Sequence, residues 1–137
     1  MSDIIVVGVD GTRTSILGLR EAIWLAESLG AELHIVNVVK ARDEEEVRLA
    51  ATVLENVLEG VTSTAPIVPA VTVGGPAEAL IAYADEVGAR ILVAGNRQMK
   101  GVGRVLGSVG AQLARDANCA VYIPRTVEMV DEESANT

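Results

Sequence analysis

Between Gly95 and Ser108 the chain reads GNRQMKGVGRVLGS, which gathers Gly95, Gly101, Gly103 and Gly107 with Arg97, Lys100 and Arg104. Glycines let a backbone approach a ligand without a Cβ in the way, and the basic side chains neutralise an anion from its rim. The stretch runs into a helical pattern, SVGAQLARDA. The first N–H groups of a helix lack intrahelical partners and carry partial positive charge, so they make a seat for phosphate oxygens. Anion binding is the chemistry these residues point to, with Ser108 the expected N-cap whose hydroxyl serves the helix or a ligand oxygen. A surface loop with three solvated cations fits the same composition, and both readings stand at this point.

A second polar turn follows the first strand-like run, in VGVDGTRTS. Asp10 either braces this turn, as Asp before Gly commonly does, or contacts a ligand. Thr12, Thr14 and Ser15 are candidates to cap the helix that follows, and Thr12 also to touch an anion. His34 has no nucleophile or metal-ligand set at a recognisable spacing and reads as a core or sheet-face residue. Cys119, the single cysteine, allows no internal disulfide and sits in the apolar context NCAVYI as a small core residue. Trp24, Tyr83 and Tyr122 fall in separate elements and read as packing residues. No metal site is expected.

Named phosphate motifs are absent. No GxxxxGK[ST] occurs, and GVGRVLG carries one residue too many for GxGxxG and follows the fourth strand instead of the first. The third strand ends Val73-Gly74-Gly75, with no acceptor carboxylate for a phospho-receiver. A flavin carrier would need aromatic rings to flank the flavin, and the chain has one Trp, two Tyr and no Phe.

The elements that must position these loops are five runs rich in Val and Ile: Ile4 to Val9, Glu32 to Val39, Val68 to Val73, Arg90 to Ala94 and Ala120 to Ile123. Several are apolar on both faces, as strands of a helix-covered parallel sheet are. Helical periodicity places Ile16, Leu19, Ile23, Ala26 and Leu29 on one face of the first intervening segment, with Gly30 as its stop, and Val47, Ala50, Leu54, Leu58 and Val61 on one face of the second. The acidic run RDEEE opens that second helix, Pro76 the third, which closes at Gly88, and the fourth starts near Ser108. The alternation predicts an α/β, single-domain, doubly wound sandwich whose five-stranded parallel sheet has the order 3-2-1-4-5. In such a sheet ligands collect beyond the strand carboxyl ends where the winding reverses, between the first and fourth strands, so the Asp10 and Gly95 loops are expected to converge.

With 137 residues, half of them hydrophobic, the chain suits one domain with one core. Residues 126–137 lose periodicity and read as an acidic, disordered tail. The apolar runs are far shorter than the roughly 20 residues a membrane span needs, and the N-terminus reads as a first strand, so a cytoplasmic location and no membrane partner are expected. The net charge of −8 argues against nucleic acid as a partner. Yet from Arg90 to Arg115 there is no acidic residue, while Arg90, Arg97, Lys100, Arg104 and Arg115 all fall there. A small anion fits that local inversion.

Across residues 3 to 125 the chain resembles the universal stress protein family. IIVVGVDGTRTS is similar to its first strand and acidic turn, ELHIVNVV to its second strand, GGPAEALIAYADEVGARILVAGN to its third helix and fourth strand, and LGSVGAQLARDANCAVYIP to its closing helix and strand. The resemblance implies a domain over 1–125 that is a stress-response protein and not an enzyme, binding ATP or a related adenine nucleotide as a regulatory ligand. It implies phosphate contacts at Gly95, Gly107 and Ser108, a ribose contact at Asp10, and backbone groups at Val38 for adenine. Arg97, Gly101 and Gly103 join the candidate nucleotide-binding set as rim cation and loop glycines. The family's nucleotide signature places a second glycine three positions after the first and nine residues before a Gly-Ser pair; Gln98 stands at that position, and the spacer is one residue short. That departure supports an alternative, a dimeric member without nucleotide that acts through protein contacts. The family also implies a homodimer through Ala120–Pro124 and a protein partner that the residues do not identify.

Overall fold

In the computed structural model the described residues are 3–95 and 107–125. The readings placed on Arg97, Gln98, Lys100, Gly101, Gly103 and Arg104, and on the tail 126–137, lie outside them. Strands β1 (Ile4–Gly8), β2 (Glu32–Val39), β3 (Ile67–Val73), β4 (Ile91–Val93) and β5 (Ala120–Tyr122) alternate with helices α1 (Arg13–Leu29), α2 (Glu44–Glu59), α3 (Pro76–Val87) and α4 (Ser108–Asp116). The sheet is parallel throughout, in the order β3-β2-β1-β4-β5.

Alternation along the strands splits the core in two. Ile5, Val7, Leu33, Ile35 and Val93 face α1 and α2 through Leu19, Ala22, Ala26 and Leu54. Val6, Val36, Leu92 and Ala94 face α3 and α4 through Ala77, Leu80, Ala84 and Leu113. The central strands are therefore apolar on both faces, and each fully buried Ile or Leu contributes about 1.5–3 kcal/mol of hydrophobic stabilisation. Helix ends follow their residues. α1 and α3 stop at Gly30 and Gly88, both left-handed (φ 64° and 68°). Asp43 caps α2 by accepting from the Glu45 N–H at 2.9 Å, and Glu44, Glu45 and Glu46 fill its acidic first turn.

Three expectations change. The buried stripe of α1 is Ser15, Leu17, Gly18, Leu19, Ala22 and Ala26, with Leu29 49% and Trp24 60% exposed. Small residues let the helix sit close to the sheet, which rotates the large ones outward, so Trp24 is not a packing residue. Val61 lies past the end of α2, which stops at Glu59. Cys119 is half-buried beside the second core instead of inside it, and burial, with the Asp85 carboxylate, pushes its thiol pKa up.

His34 is 6% exposed on the α3 face of β2, near the amino end of the sheet. Its Nε2 lies 2.6 Å from Glu32 Oε1 and its Nδ1 2.7 Å from the Tyr83 hydroxyl. Burial first, then the Glu86 and Glu32 carboxylates, raise the Tyr83 pKa. The phenol thus stays protonated beside Nδ1, and the Glu32 carboxylate, which only accepts, takes its hydrogen bond from Nε2–H. The sheet's two edges differ. In β3, the Leu33 N–H donates to Pro66 O and Gly74 N–H to Val39 O, so even-numbered β3 residues turn their backbone groups to β2 and Pro69 turns outward. Its missing N–H falls on the open side, where proline is tolerated.

Candidate functional site

The carboxyl ends of β1, β2 and β4 and the start of α4 enclose a cleft of about 510 Å³, within the range of small-molecule sites. Gly8, Val9, Asp10, Thr14 and Ser15 come from the β1–α1 junction; Val36 and Val38 from β2, with Lys40 just past it; Ala94 and Gly95 from the end of β4; and Gly107, Ser108, Val109 and Gly110 from the start of α4. Gly74, Pro76 and Leu80 complete the wall on the α3 side. The convergence expected of the Asp10 and Gly95 loops is thus present, and of the candidate residues Asp10, Val38, Gly95, Gly107 and Ser108 line one space.

The β1–α1 junction is a closed hydrogen-bonded turn. Asp10 Oδ1 accepts from the Thr12 N–H at 3.0 Å and from Thr12 Oγ1 at 2.6 Å. Thr12 Oγ1 accepts from the Ser15 N–H at 3.3 Å as the N-cap of α1. Ser15 Oγ donates to Thr12 O at 3.0 Å and accepts from the Asp10 N–H at 3.2 Å. Bracing the turn is therefore one function of Asp10, and Thr12 is the cap among the three hydroxyl residues.

Gly95 meets the turn from β4. A Cβ there would lie 2.7 Å from Thr14 O, and a Cβ on Gly18 3.1 Å from Gly95 N. The two glycines let α1 press against the end of β4, a packing requirement that loop flexibility alone did not suggest. Across the cleft, α4 is capped by Gly107 in extended conformation (φ −69°, ψ 172°) with no side-chain cap bond. This corrects the expectation for Ser108: it is the first residue of the helix, one place too far along for its hydroxyl to cap, and it is exposed. The first-turn N–H groups of Ser108, Val109 and Gly110 precede the first intrahelical bond, from the Ala111 N–H to Gly107 O.

Val38 owes its place in the cleft to register. The β1–β2 ladder ends as the Val9 N–H donates to Val36 O at 2.8 Å. Successive residues of a strand turn their backbone groups to opposite neighbours, so Val38, like Val36, turns its N–H and C=O toward β1. There β1 has already left the sheet. A donor and an acceptor thus face the cleft side by side. Sequence reasoning missed Lys40, which directly follows β2, and the α3-side residues Gly74, Pro76 and Leu80. Their signal was present, since all follow strand carboxyl ends, the place where parallel sheets gather ligands. Among the described residues no group of three or more His, Cys, Asp or Glu is placed to hold a metal ion, and no helix is long and apolar enough to cross a membrane.

The family model for the universal stress protein family matches residues 1–125. Universal stress protein Rv1636 of Mycobacterium tuberculosis strain H37Rv is 32% identical over 142 aligned positions, covering 89% of this chain and 95% of the relative. Among solved structures, a universal stress protein in complex with cAMP is 30% identical, covers 91% of this chain and 98% of its own, and superposes with a TM-score of 0.69. UspA from Lactobacillus plantarum, 21% identical with 90% and 98% covered, shares the fold at a TM-score of 0.74. The chain belongs to the universal stress protein family.

Proposed function

We propose that this universal stress protein is a cytoplasmic, non-catalytic binder of an adenine nucleotide, ATP, AMP or cAMP, and that occupancy of the cleft alters its contacts with a partner protein. The observation that carries the reading is the pairing of two unlike ends in one cleft. The Val38 N–H and C=O match the N1 acceptor and N6 donor of adenine, while the first turn of α4 offers N–H groups and a positive dipole end to a phosphate. Asp10 stands between them, where a ribose would lie. The relative solved with cAMP, at 30% identity, supports the ligand class. No general base beside a nucleophile lines the described cleft, so binding without turnover is the role assigned. The rim cation Arg97 and the glycines Gly101 and Gly103 belong to the same proposal, as does a homodimer formed through Ala120–Pro124.

Gln98 at the position of the signature's middle glycine, with the shortened spacer, favours a second reading: a dimeric member without nucleotide that works through protein contacts. Isothermal titration with ATP, AMP and cAMP separates the two. Saturable binding of at least one is expected. Binding of none, with no adenine nucleotide released when protein purified from cells is denatured, would replace the first reading with the second.

A further inference from the structure

We propose that Lys40 selects adenine over guanine, by donating a hydrogen bond to N7 of the base. This rests on the adenine reading of the cleft and adds a residue that decides which purine it accepts. Lys40 lines the cleft just past the end of β2. It is exposed, and it makes no hydrogen bond or ion pair with a described residue. Two residues separate its Cα from that of Val38 by at most about 7 Å, a distance that a lysine stem spans. β2 and β4 flank β1 in the sheet, about 10 Å apart at the usual strand spacing, and α4 is the helix that follows β4. A nucleotide with its base on the Val38 pair and its phosphate at α4 presents the base to Lys40, which follows Val38 by two residues.

Strand direction then fixes which atom of the base Lys40 meets. Along β2 the Val38 N–H comes before its C=O, and Lys40 lies beyond the C=O. Adenine satisfies the pair by placing N1 on the N–H and its N6 amino group on the C=O, and the next atom along that edge is N7, an acceptor. An ammonium has donors only, so the contact is favourable. Guanine must turn over to satisfy the same pair, with O6 on the N–H and N1–H on the C=O. Its N2 amino group then points at Lys40, donor against cation. Hypoxanthine, with a bare C2–H there, falls between.

The test is titration calorimetry of the full chain and of Lys40→Met and Lys40→Arg with AMP, 7-deaza-AMP and GMP. The wild type is expected to bind AMP about tenfold tighter than 7-deaza-AMP, the scale of one charge-assisted hydrogen bond, and to bind GMP more weakly still. In Lys40→Met the AMP and 7-deaza-AMP affinities should agree within about twofold, with the GMP penalty reduced, and Lys40→Arg should restore the discrimination. If the wild type binds AMP and 7-deaza-AMP equally, or if Lys40→Met weakens all three ligands by one common factor, the assignment of Lys40 is wrong while the adenine site stands. If the wild type binds no adenine nucleotide, the site itself is refuted and Lys40 loses its role with it.

Discussion

The two sides of the cleft use their polar groups differently. On the β1–α1 side, Asp10, Thr12 and Ser15 satisfy one another within a single turn. To either side of it, the first turn of α4 has no side-chain cap bond, and the ladder stops short of Val38. One wall holds its shape through its own hydrogen bonds; the other presents donors and an acceptor to whatever enters. The contrast teaches that a residue type common at binding sites, such as Asp or Thr in a polar loop, marks a ligand contact only after its local partners have been counted.

Substitutions on the two walls should therefore separate stability from binding. The largest effect is expected from Gly107→Val: a branched side chain beside the α4 donors should weaken AMP binding at least about tenfold in calorimetry and leave the protein folded, with a stability loss of about 1 kcal/mol for the poorer N-cap. Unchanged affinity would place the anion elsewhere. Gly95→Ala tests the seam between the walls. Its Cβ would lie 2.7 Å from Thr14 O, an overpacking expected to cost about 1–3 kcal/mol in urea unfolding. Thr12→Ala removes the cap of α1 and should cost about 1 kcal/mol, with AMP affinity within about twofold of wild type; a large loss of affinity would show that the braced wall also reads the ligand.

The smallest effect concerns how α1 is held from behind. The Tyr122 hydroxyl donates to Glu21 Oε1 at 2.6 Å, and this hydrogen bond, then burial and the charge of Glu21, push the Tyr122 pKa up to about 12. A phenol with a raised folded-state pKa contributes stability that is complete below its unfolded value near 10 and is lost as pH rises through about 12. Wild type is expected to lose stability across that alkaline window more steeply than Tyr122→Phe in pH-dependent unfolding. Parallel curves would sever this tie between β5 and α1.

Much of the architecture was legible because period and composition agree. Runs such as IIVVG and ELHIVNVV are apolar on both faces, a pattern that suits interior parallel strands, and alternation with capped helical segments leaves few topologies. The strand order and the convergence of the Asp10 and Gly95 loops followed. What periodicity could not convey was phase and partnership. In α1 the expected stripe ran through Ile16 and Leu29, but Gly18, Ala22 and Ala26 face the sheet, because close approach favours small side chains over apolar ones. Ser108 was named as cap because of its hydroxyl, whereas capping depends on which residue takes the extended backbone, and Gly107 does. Val38 was expected only from resemblance; its exposed backbone pair comes from where β1 leaves the ladder, which no window of sequence records. Lys40, alone after β2, carries no local pattern of its own, whereas the basic residues after β4 form a cluster.

The outward-facing Pro69 has a consequence for assembly. It leaves the two margins of the sheet unequal, one interrupted in its middle and the other ending in a regular strand, Ala120–Tyr122. Copies that joined margin to margin in a head-to-tail sense would need both kinds of edge and could grow without limit, whereas joining like to like through β5 uses up the receptive edge and stops at two. In the homodimer proposed through β5, the single imino acid on the far strand would keep a third copy from adding at β3, so that sheet extension would end with the pair.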